Sequence, residues 1–314
     1  LLRNDNNLVS DIMTNKDPLN SLSAGYKNKT RAFVEIQNGC NHRCTFCVIP
    51  YGRGNLRSKP KEQIIIEIND LISKGHKEII LTGVDIASWN MENHNESSLG
   101  VLIEYILNKI PSLERLRLSS MDIIGFDEKL IELIANNKRI LPHIHLSLQS
   151  GDNLILKRMK RRHLREDAIE LCKKLKQRRP EISFGADLIV GFPTETEEMF
   201  QNTLNIVEEC QLDWIHAFPF SPRPGTPAAK MPQNDTKIIK QRSKVLREVA
   251  RKRKKSYLKN LVGKSIEVFV EKDNKGYSNQ FAPIKLIEKN IESGQTITAL
   301  IKTSDENFAH GVAI

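Results

Sequence analysis

Cysteine is scarce in this chain, with five among 314 residues. That count is too low for a disulfide scaffold, which excludes the small secreted, cross-linked classes. No apolar stretch approaches the roughly 18–20 residues that a bilayer-spanning helix needs. The first twenty residues, Leu1 to Asn20, are polar and lack the charged-then-apolar plan of a secretory signal. Neither a fixed-period repeat nor a long low-complexity tract is present. These absences predict a soluble globular protein of the cytoplasm, with a mean hydropathy of −0.40. Acidic residues are also outnumbered: 48 Lys and Arg against 38 Asp and Glu give a net charge of +10. Such a balance favours a polyanionic partner without naming it.

The few cysteines are unevenly placed. Cys40, Cys44 and Cys47 lie in one run, Gly39-Cys-Asn-His-Arg-Cys-Thr-Phe-Cys47, with C-x3-C-x2-C spacing. A structural zinc takes four ligands, commonly as two separated pairs, and the nearest fourth candidate is His42, awkwardly placed between the thiolates. A thioredoxin-like site would use one C-x2-C pair and leave Cys40 idle. Three thiolates without a fourth fit a [4Fe–4S] cube with one iron open to a small chelating molecule. Cys172 and Cys210 stand alone within helical patterns and read as small core residues.

Leu1 to Thr30 is rich in Asn, Asp, Ser and Lys and reads as a linker or remnant (1–30). From Arg31, short apolar runs alternate with helical patterns. The expected strands are Ala32–Gln37, Glu78–Thr82, Arg115–Leu118, Ile144–Leu148, Phe184–Val190 and Trp214–Phe218. The expected helices are Lys61–Ser73, Gly100–Asn108, Asp127–Ala135, Arg165–Arg178 and Glu195–Glu208. Six strand–helix units predict an α/β fold, a parallel sheet with right-handed crossovers closing partway into a (βα)6 barrel over 31–258. Its site belongs at the C-terminal ends of the strands, where the cysteine run falls. A long basic helix is expected from Asn234 to Leu261. Runs at Ser265–Glu271, Ile284–Ile287 and Thr296–Lys302, separated by turns, predict a small all-β barrel over 259–314.

The cysteine run, with Phe46 at its aromatic position, resembles the hallmark of the radical S-adenosylmethionine (SAM) superfamily. Further runs resemble the methylthiotransferase family within it: Cys47-Val-Ile-Pro-Tyr-Gly-Arg-Gly54, Leu81-Thr-Gly-Val-Asp85, His145-Leu-Ser-Leu-Gln-Ser-Gly151, Leu156-Lys-Arg-Met-Lys-Arg161, Gly185-Ala-Asp-Leu-Ile-Val-Gly-Phe-Pro-Thr-Glu195 and Phe218-Pro-Phe-Ser-Pro-Arg-Pro-Gly-Thr-Pro-Ala228. Gln37-Asn-Gly-Cys-Asn-His-Arg-Cys44, Pro142-His-Ile-His-Leu-Ser147 and Lys157 to Ala168 resemble the branch that modifies threonylcarbamoyladenosine in tRNA. The resemblance implies one [4Fe–4S] cluster on Cys40, Cys44 and Cys47, SAM on the open iron, an external reducing electron donor, and a 5′-deoxyadenosyl radical made by SAM cleavage. It implies transfer of a methylthio group to C2 of the adenosine beside the anticodon, with the tRNA anticodon stem-loop as partner. The C-terminal module resembles the TRAM domain, a small RNA-binding barrel.

Site residues follow from the same motifs. Phe46, Thr82, Gly83, Asp85, Ser147, Gln149, Asp187 and Gly191 are the expected cofactor contacts. Thr82 to Asp85 lies where the family binds the SAM amino group, with Gly83 allowing close backbone approach. Ser147, Gln149 and Ser150 end a strand on the expected active face. Asp187, within an apolar strand, needs a partner, either a ligand or a structural pair. Gly191 to Glu195 reads as a wall of the adenosine pocket, with Thr194 as an alternative helix cap. Arg158, Arg161, Arg223, Arg251, Lys252 and Arg253 are the expected contacts to SAM carboxylate or RNA phosphate. His42 and His163 read as loop polar groups. Tyr277 and Phe281 are candidates for base stacking and Phe269 for barrel core.

Family members carry an N-terminal domain with three more cysteines for a second [4Fe–4S] cluster, and no cysteine precedes Arg31 here. The expectation is a chain able to make the radical and bind RNA, with the sulfur-donor domain missing or supplied by a separate polypeptide. The alternatives are a methylthiotransferase acting on isopentenyladenosine or on a ribosomal-protein aspartate, and a degenerate RNA-binding remnant.

Overall fold

The computed structural model describes residues 12–14, 30–93, 98–287 and 291–314. Most of the 1–30 linker expectation therefore lies outside the described residues. The elements in chain order are β1 (Arg31–Asn38), α1 (Ile49–Arg53), β2 (Arg57–Ser58), α2 (Lys61–Ser73), β3 (Glu78–Gly83), α3 (Leu99–Lys109), β4 (Arg115–Leu118), α4 (Glu128–Asn136), β5 (His143–Gln149), α5 (Asn153–Arg158), α6 (Arg165–Arg178), β6 (Ser183–Val190), α7 (Glu197–Glu209), β7 (Leu212–Pro219) and α8 (Thr236–Lys259). Five short strands follow: β8 (Ser265–Val270), β9 (Lys275–Ser278), β10 (Pro283–Leu286), β11 (Thr296–Ser304) and β12 (Ala309–Ala313).

Local signals explain the helix starts. Asp127 accepts from the Leu130 N–H at 2.7 Å, Asp152 from Leu154 and Ile155 at 3.0 Å, and Thr196 from Met199 at 3.3 Å. Each satisfies backbone donors left free by a first turn. Thr194, expected as the cap, is not one. It sits two residues earlier at φ +66°, its hydroxyl donating to Pro193 O.

The expected single parallel sheet is two hydrogen-bonded ladders, β2-β1-β3-β4 and β5-β6-β7, with β2 antiparallel to β1. The break has a simple cause. β4 is four residues long and meets the next strand's segment only at the isolated bridges Leu116↔Ile140 and Met121↔Leu146. The other pairings are parallel, as expected.

Period-two alternation gives the sheets two unlike faces. Val34, Ile36, Ile79, Leu81, Leu116, Leu118, Ile144, Leu146, Phe184, Ala186 and Leu188 join the helices in one buried core. The alternate residues carry polar and aromatic groups: Phe33 and Glu35, Thr82, Arg115 and Arg117, His145 and Ser147, Asp187, His216 and Phe218. This second face is the concave side of the half-barrel.

β8 to β12 form a closed barrel in the order β10-β12-β11-β8-β9 around a separate core. Two of its strands, β9 and β12, were not expected from the sequence. Each contains a glycine with little room for a side chain, a collision at Gly276 and a tight contact at Gly311. A Cβ on Gly276 would lie 2.2 Å from Phe269 O, and one on Gly311 3.1 Å from the Ala299 side chain. Barrel closure needs those glycines, and they erase the apolar alternation that marks a strand.

The barrel docks at the N-terminal ends of the sheet strands. Arg31 pairs with Glu271 at 2.5 Å, the Ser183 hydroxyl donates to Gln280 O at 2.7 Å, and His143 stacks on Phe281. The cysteine run is at the other end, after β1.

Candidate active site

The cysteine loop is anchored on three sides. At its start, Gly39 adopts φ +71°, and a Cβ there would lie 1.9 Å from Asn55 O. Cys40 N–H donates to Gly54 O at 3.1 Å. In its middle, Thr45 N–H donates to Met159 O, and its hydroxyl donates to Arg158 O at 2.7 Å. Thr45 O accepts from Ala228 N–H at 2.9 Å. Phe46 packs against an apolar cluster of Ile155, Met159, Phe192, Phe220 and Ala228. Distant segments of chain thus fix where the three sulfurs stand.

The sulfurs suit a polynuclear centre better than one ion. Donors to a single zinc at about 2.3 Å must lie within roughly 4 Å of one another. Among the described residues, the three cysteines do not form a set with donor atoms within 4.8 Å, whereas Cys40, His42 and Asp85 do. His42 therefore does not complete a four-ligand zinc site with all three cysteines. Burial pushes the Cys40 thiol up to about 11 and also raises Cys47. Half-buried thiols in such surroundings need a bound cationic centre to become thiolates. The donor set fits an iron–sulfur cluster.

Around the loop, the expected contacts divide into two groups. Asp85 is buried and already bound: its carboxylate contacts His42 and accepts from the Ser88 hydroxyl at 2.6 Å, and its N–H donates to Gln37 Oε1 at 2.7 Å. Gly83 does permit close approach, but what approaches is Gln37 O, 2.5 Å from where a Cβ would be. Gln37, fully buried, also donates to Gly39 O at 2.6 Å, so it couples the cysteine loop to the Thr82–Asp85 turn. Sequence reasoning missed it. Gly191 is held by α8: at φ +73°, its Cβ position lies 2.6 Å from Ile239. Ser150 turns away from the active face, fully buried beside the Thr203 hydroxyl of α7.

Ser147 and Gln149 remain on the concave face. Gln149 adopts φ +70° at the end of β5, a strained conformation of the kind held at ligand sites. Thr82 is half-buried on the same face at the end of β3.

The basic cluster also divides. Arg161 is buried, its guanidinium 3.8 Å from Cys44 Sγ, 2.8 Å from Ser147 O and 3.1 Å from Asp122. Its guanidinium faces the cysteine loop and is engaged within the fold. Burial would raise the Asp122 carboxyl, but His163, Arg161 and Arg162 outweigh it and hold the group at about 2. His163 lies in a loop as expected and is buried against Asp122. Arg158 donates to Thr194 O at 3.3 Å. Arg253 is tied to Leu212 O, Glu208 and Asp213, and Arg251 to Glu248 and Glu306. Both are struts more than free phosphate ligands. Arg223 and Lys252 are exposed. Tyr277 and Phe281 stack on each other at 4.6 Å, and Phe269, expected in the barrel core, is instead buried outside that cluster beneath the Arg115 guanidinium.

Asp187 has a structural pair of histidines. His145 Nε2 and His216 Nδ1 both lie 3.0 Å from its Oδ1. Burial alone would raise this carboxyl, yet the two hydrogen bonds hold it well below the carboxylate range. The hydrogen bond to Asp187 raises His216 in turn. Neither histidine was singled out from the sequence. The signal available was the alternation along Asp213-Trp-Ile-His-Ala-Phe218, which puts Trp214, His216 and Phe218 on one face.

A half-barrel with three cysteines at the strands' C-terminal ends defines a class. Residues 34–207 match the family model described as the radical SAM superfamily, and the chain belongs to it. Two solved structures share the fold. One is the radical S-adenosylmethionine methyltransferase TsrM from Kitasatospora setae (TM-score 0.51, 19% identity, 63% of this chain and 38% of that one). The other is SuiB from Streptococcus suis, bound to S-adenosylmethionine (TM-score 0.51, 14% identity, 72% and 48%).

Curated relatives narrow the class to the tRNA methylthiotransferases, to which this chain belongs. A threonylcarbamoyladenosine tRNA methylthiotransferase of Rickettsia prowazekii is 44% identical over 98% of this chain and 72% of its own length. One of Aquifex aeolicus is 38% identical over 94% and 71%. A tRNA-2-methylthio-N(6)-dimethylallyladenosine synthase of Shouchella clausii is 40% identical over 82% of this chain and 50% of its own length.

Proposed function

We propose that this chain is the radical-generating and RNA-binding part of a methylthiotransferase acting on threonylcarbamoyladenosine in the tRNA anticodon loop, in the cytoplasm. The observation that carries the reading is the match to the Rickettsia prowazekii enzyme across nearly the whole chain. Residues 31–258 would make the radical, and 259–314 would bind RNA.

When bound, a [4Fe–4S] cluster and SAM supply reductive cleavage of SAM to a 5′-deoxyadenosyl radical, given an external electron donor. The chain's own groups do the rest. Cys40, Cys44 and Cys47 would hold the cluster, and Arg161 donates toward Cys44 Sγ and keeps positive charge beside it. Phe46 closes the loop against the apolar cluster and excludes water. Thr82, Ser147 and Gln149, half-buried near the strand ends, would orient SAM. Arg223 stands on a loop stiffened by Pro222 and Pro224, a low-entropy contact for RNA phosphate. Outside Cys40–Cys47 the sequence offers no further cysteine triplet, so the sulfur-donating second cluster would come from another segment or polypeptide.

Two experiments test the reading. Replacing any one of Cys40, Cys44 or Cys47 with Ala should abolish cluster assembly and 5′-deoxyadenosine formation after anaerobic reconstitution. A mutant that still yields 5′-deoxyadenosine refutes the ligand assignment. In a strain lacking the gene, tRNA hydrolysates should lose the methylthio form of threonylcarbamoyladenosine. Loss of the methylthio dimethylallyl nucleoside instead would support the second reading, which the Shouchella clausii match favours.

A further inference from the structure

The two relatives' names differ in the group on the adenosine N6: threonylcarbamoyl in one, dimethylallyl in the other. The first ends in a carboxylate and the second is pure hydrocarbon. A site that separates them needs donors where that group lies, because an apolar substituent leaves such donors unpaired.

C2 and the N6 substituent lie on different edges of the purine. A base whose C2 faces the cysteine loop therefore turns its substituent away, along the concave face. His216 is on that face, three residues or about 10 Å below the end of β7. Its Nδ1 is held by Asp187 at 3.0 Å, and its side chain is 63% exposed. Beside it opens a cavity of about 580 Å³ between β7, α8 and the C-terminal barrel, lined by Trp214, His216, Lys254, Phe281 and Phe308, among others. That volume suits a small organic group.

Arg251, one cation at this cavity, is already paired with Glu248 and Glu306. Lys254 has no ion pair among the described residues. The cavity's carboxylates are engaged: Asp213 pairs with Arg253 at 3.3 Å and Glu306 pairs with Arg251. The Asp187 contact favours the imidazolium of His216, leaving an N–H on Nε2 for a ligand.

We propose that this cavity receives the N6 substituent of the substrate adenosine, with His216 and Lys254 binding its carboxylate and so selecting the threonylcarbamoyl group over a hydrocarbon. The inference rests on the function proposed above and adds the residues that set its specificity.

The test is competition binding by the cluster-loaded chain at fixed salt. Three synthetic anticodon stem-loops serve as probes, carrying threonylcarbamoyladenosine, its methyl ester, or N6-dimethylallyladenosine. The wild-type chain should prefer the acid over the ester by on the order of tenfold. His216→Gln and Lys254→Met should each cut that preference to about threefold or less, and His216→Lys should retain it. If the wild type does not separate acid from ester, or if both neutral variants keep its ratio, the inference is wrong while the proposed function stands. If the chain prefers the dimethylallyl loop or binds none of the three, the proposed function falls, and this inference with it. Lys254 is on a helix surface, so its variant reads out even where His216→Gln folds poorly.

Discussion

The Asp187 carboxylate is shared by two imidazoles, and that fixes how its neighbourhood responds to pH. His216 has its pKa raised by Asp187. Its contribution to stability is therefore complete below its unfolded value of about 6.5 and is lost as pH rises through the higher folded value. Asp187 is depressed, so its contribution is complete above about 3.9 and is lost as pH falls below that. The stability difference between wild type and Asp187→Asn should therefore be greatest between about pH 4 and 6.5 and shrink on both sides. Urea midpoints measured from about pH 2 to about pH 9 decide it, and a difference independent of pH over that span would mean that these three side chains do not titrate as described. Arg161 illustrates the opposite case. It belongs to a basic run that reads as an RNA-facing surface, yet folding buries it between Cys44, Ser147 and Asp122. Sequence charge reports what a residue carries, and only the fold reports what it faces.

At the level of elements, α8 is more than a basic arm. Arg242 is buried and donates to Glu195 Oε2 at 2.8 Å and to Glu195 O at 2.9 Å. Glu195 in turn accepts from Gly191 N–H at 2.7 Å. The helix thereby holds the Gly191–Glu195 turn that ends β6. Burial raises Glu195 even with Arg242 beside it. Arg242→Met should leave a buried, uncompensated carboxylate and cost about 3–5 kcal/mol. Adding Glu195→Gln should recover much of the loss, because the pair's charges are then removed together; equal urea midpoints for the single and double variants would refute this. The core strands and amphipathic helices were legible from periodicity: α2, β4 and α6 have the expected bounds. The unexpected elements were those whose pattern is set by tertiary demands. α5 is six residues long and ends in a basic run, β2 is two residues long, and β9 and β12 carry glycines. Likewise, the cysteine triplet was legible because its ligands are adjacent in sequence. Gln37, His145 and His216 act through partners 48, 42 and 29 residues away in sequence, and Cys172 finds Cys210 across two helices in the core.

Across the whole molecule, one buried carboxylate joins the two folding units. Glu78 is 1% exposed and accepts from Arg115 Nε at 2.9 Å and Arg117 Nε at 2.8 Å. The far ends of both guanidinium groups reach the barrel. Arg115 meets Glu267 at 3.0 Å and Asn279 at 2.8 Å, while Arg117 donates to Ser278 O and Asn279 O at 3.0 Å. Glu78 thus aims two forks that would repel one another without it, and the forks satisfy barrel carbonyls that would otherwise be buried unpaired. The cavity beside His216 is walled by the same barrel, so its shape depends on this junction. Removing the aiming carboxylate should free the barrel while the sheet core, built from separate apolar contacts, persists. We therefore expect Glu78→Gln to split a single thermal transition into two. Amide exchange should quicken over Ser265–Ala313 while β1, β3 and β6 stay protected. Uniform loss of protection across both units would mean that they fold as one and that the Glu78 junction is part of a single core.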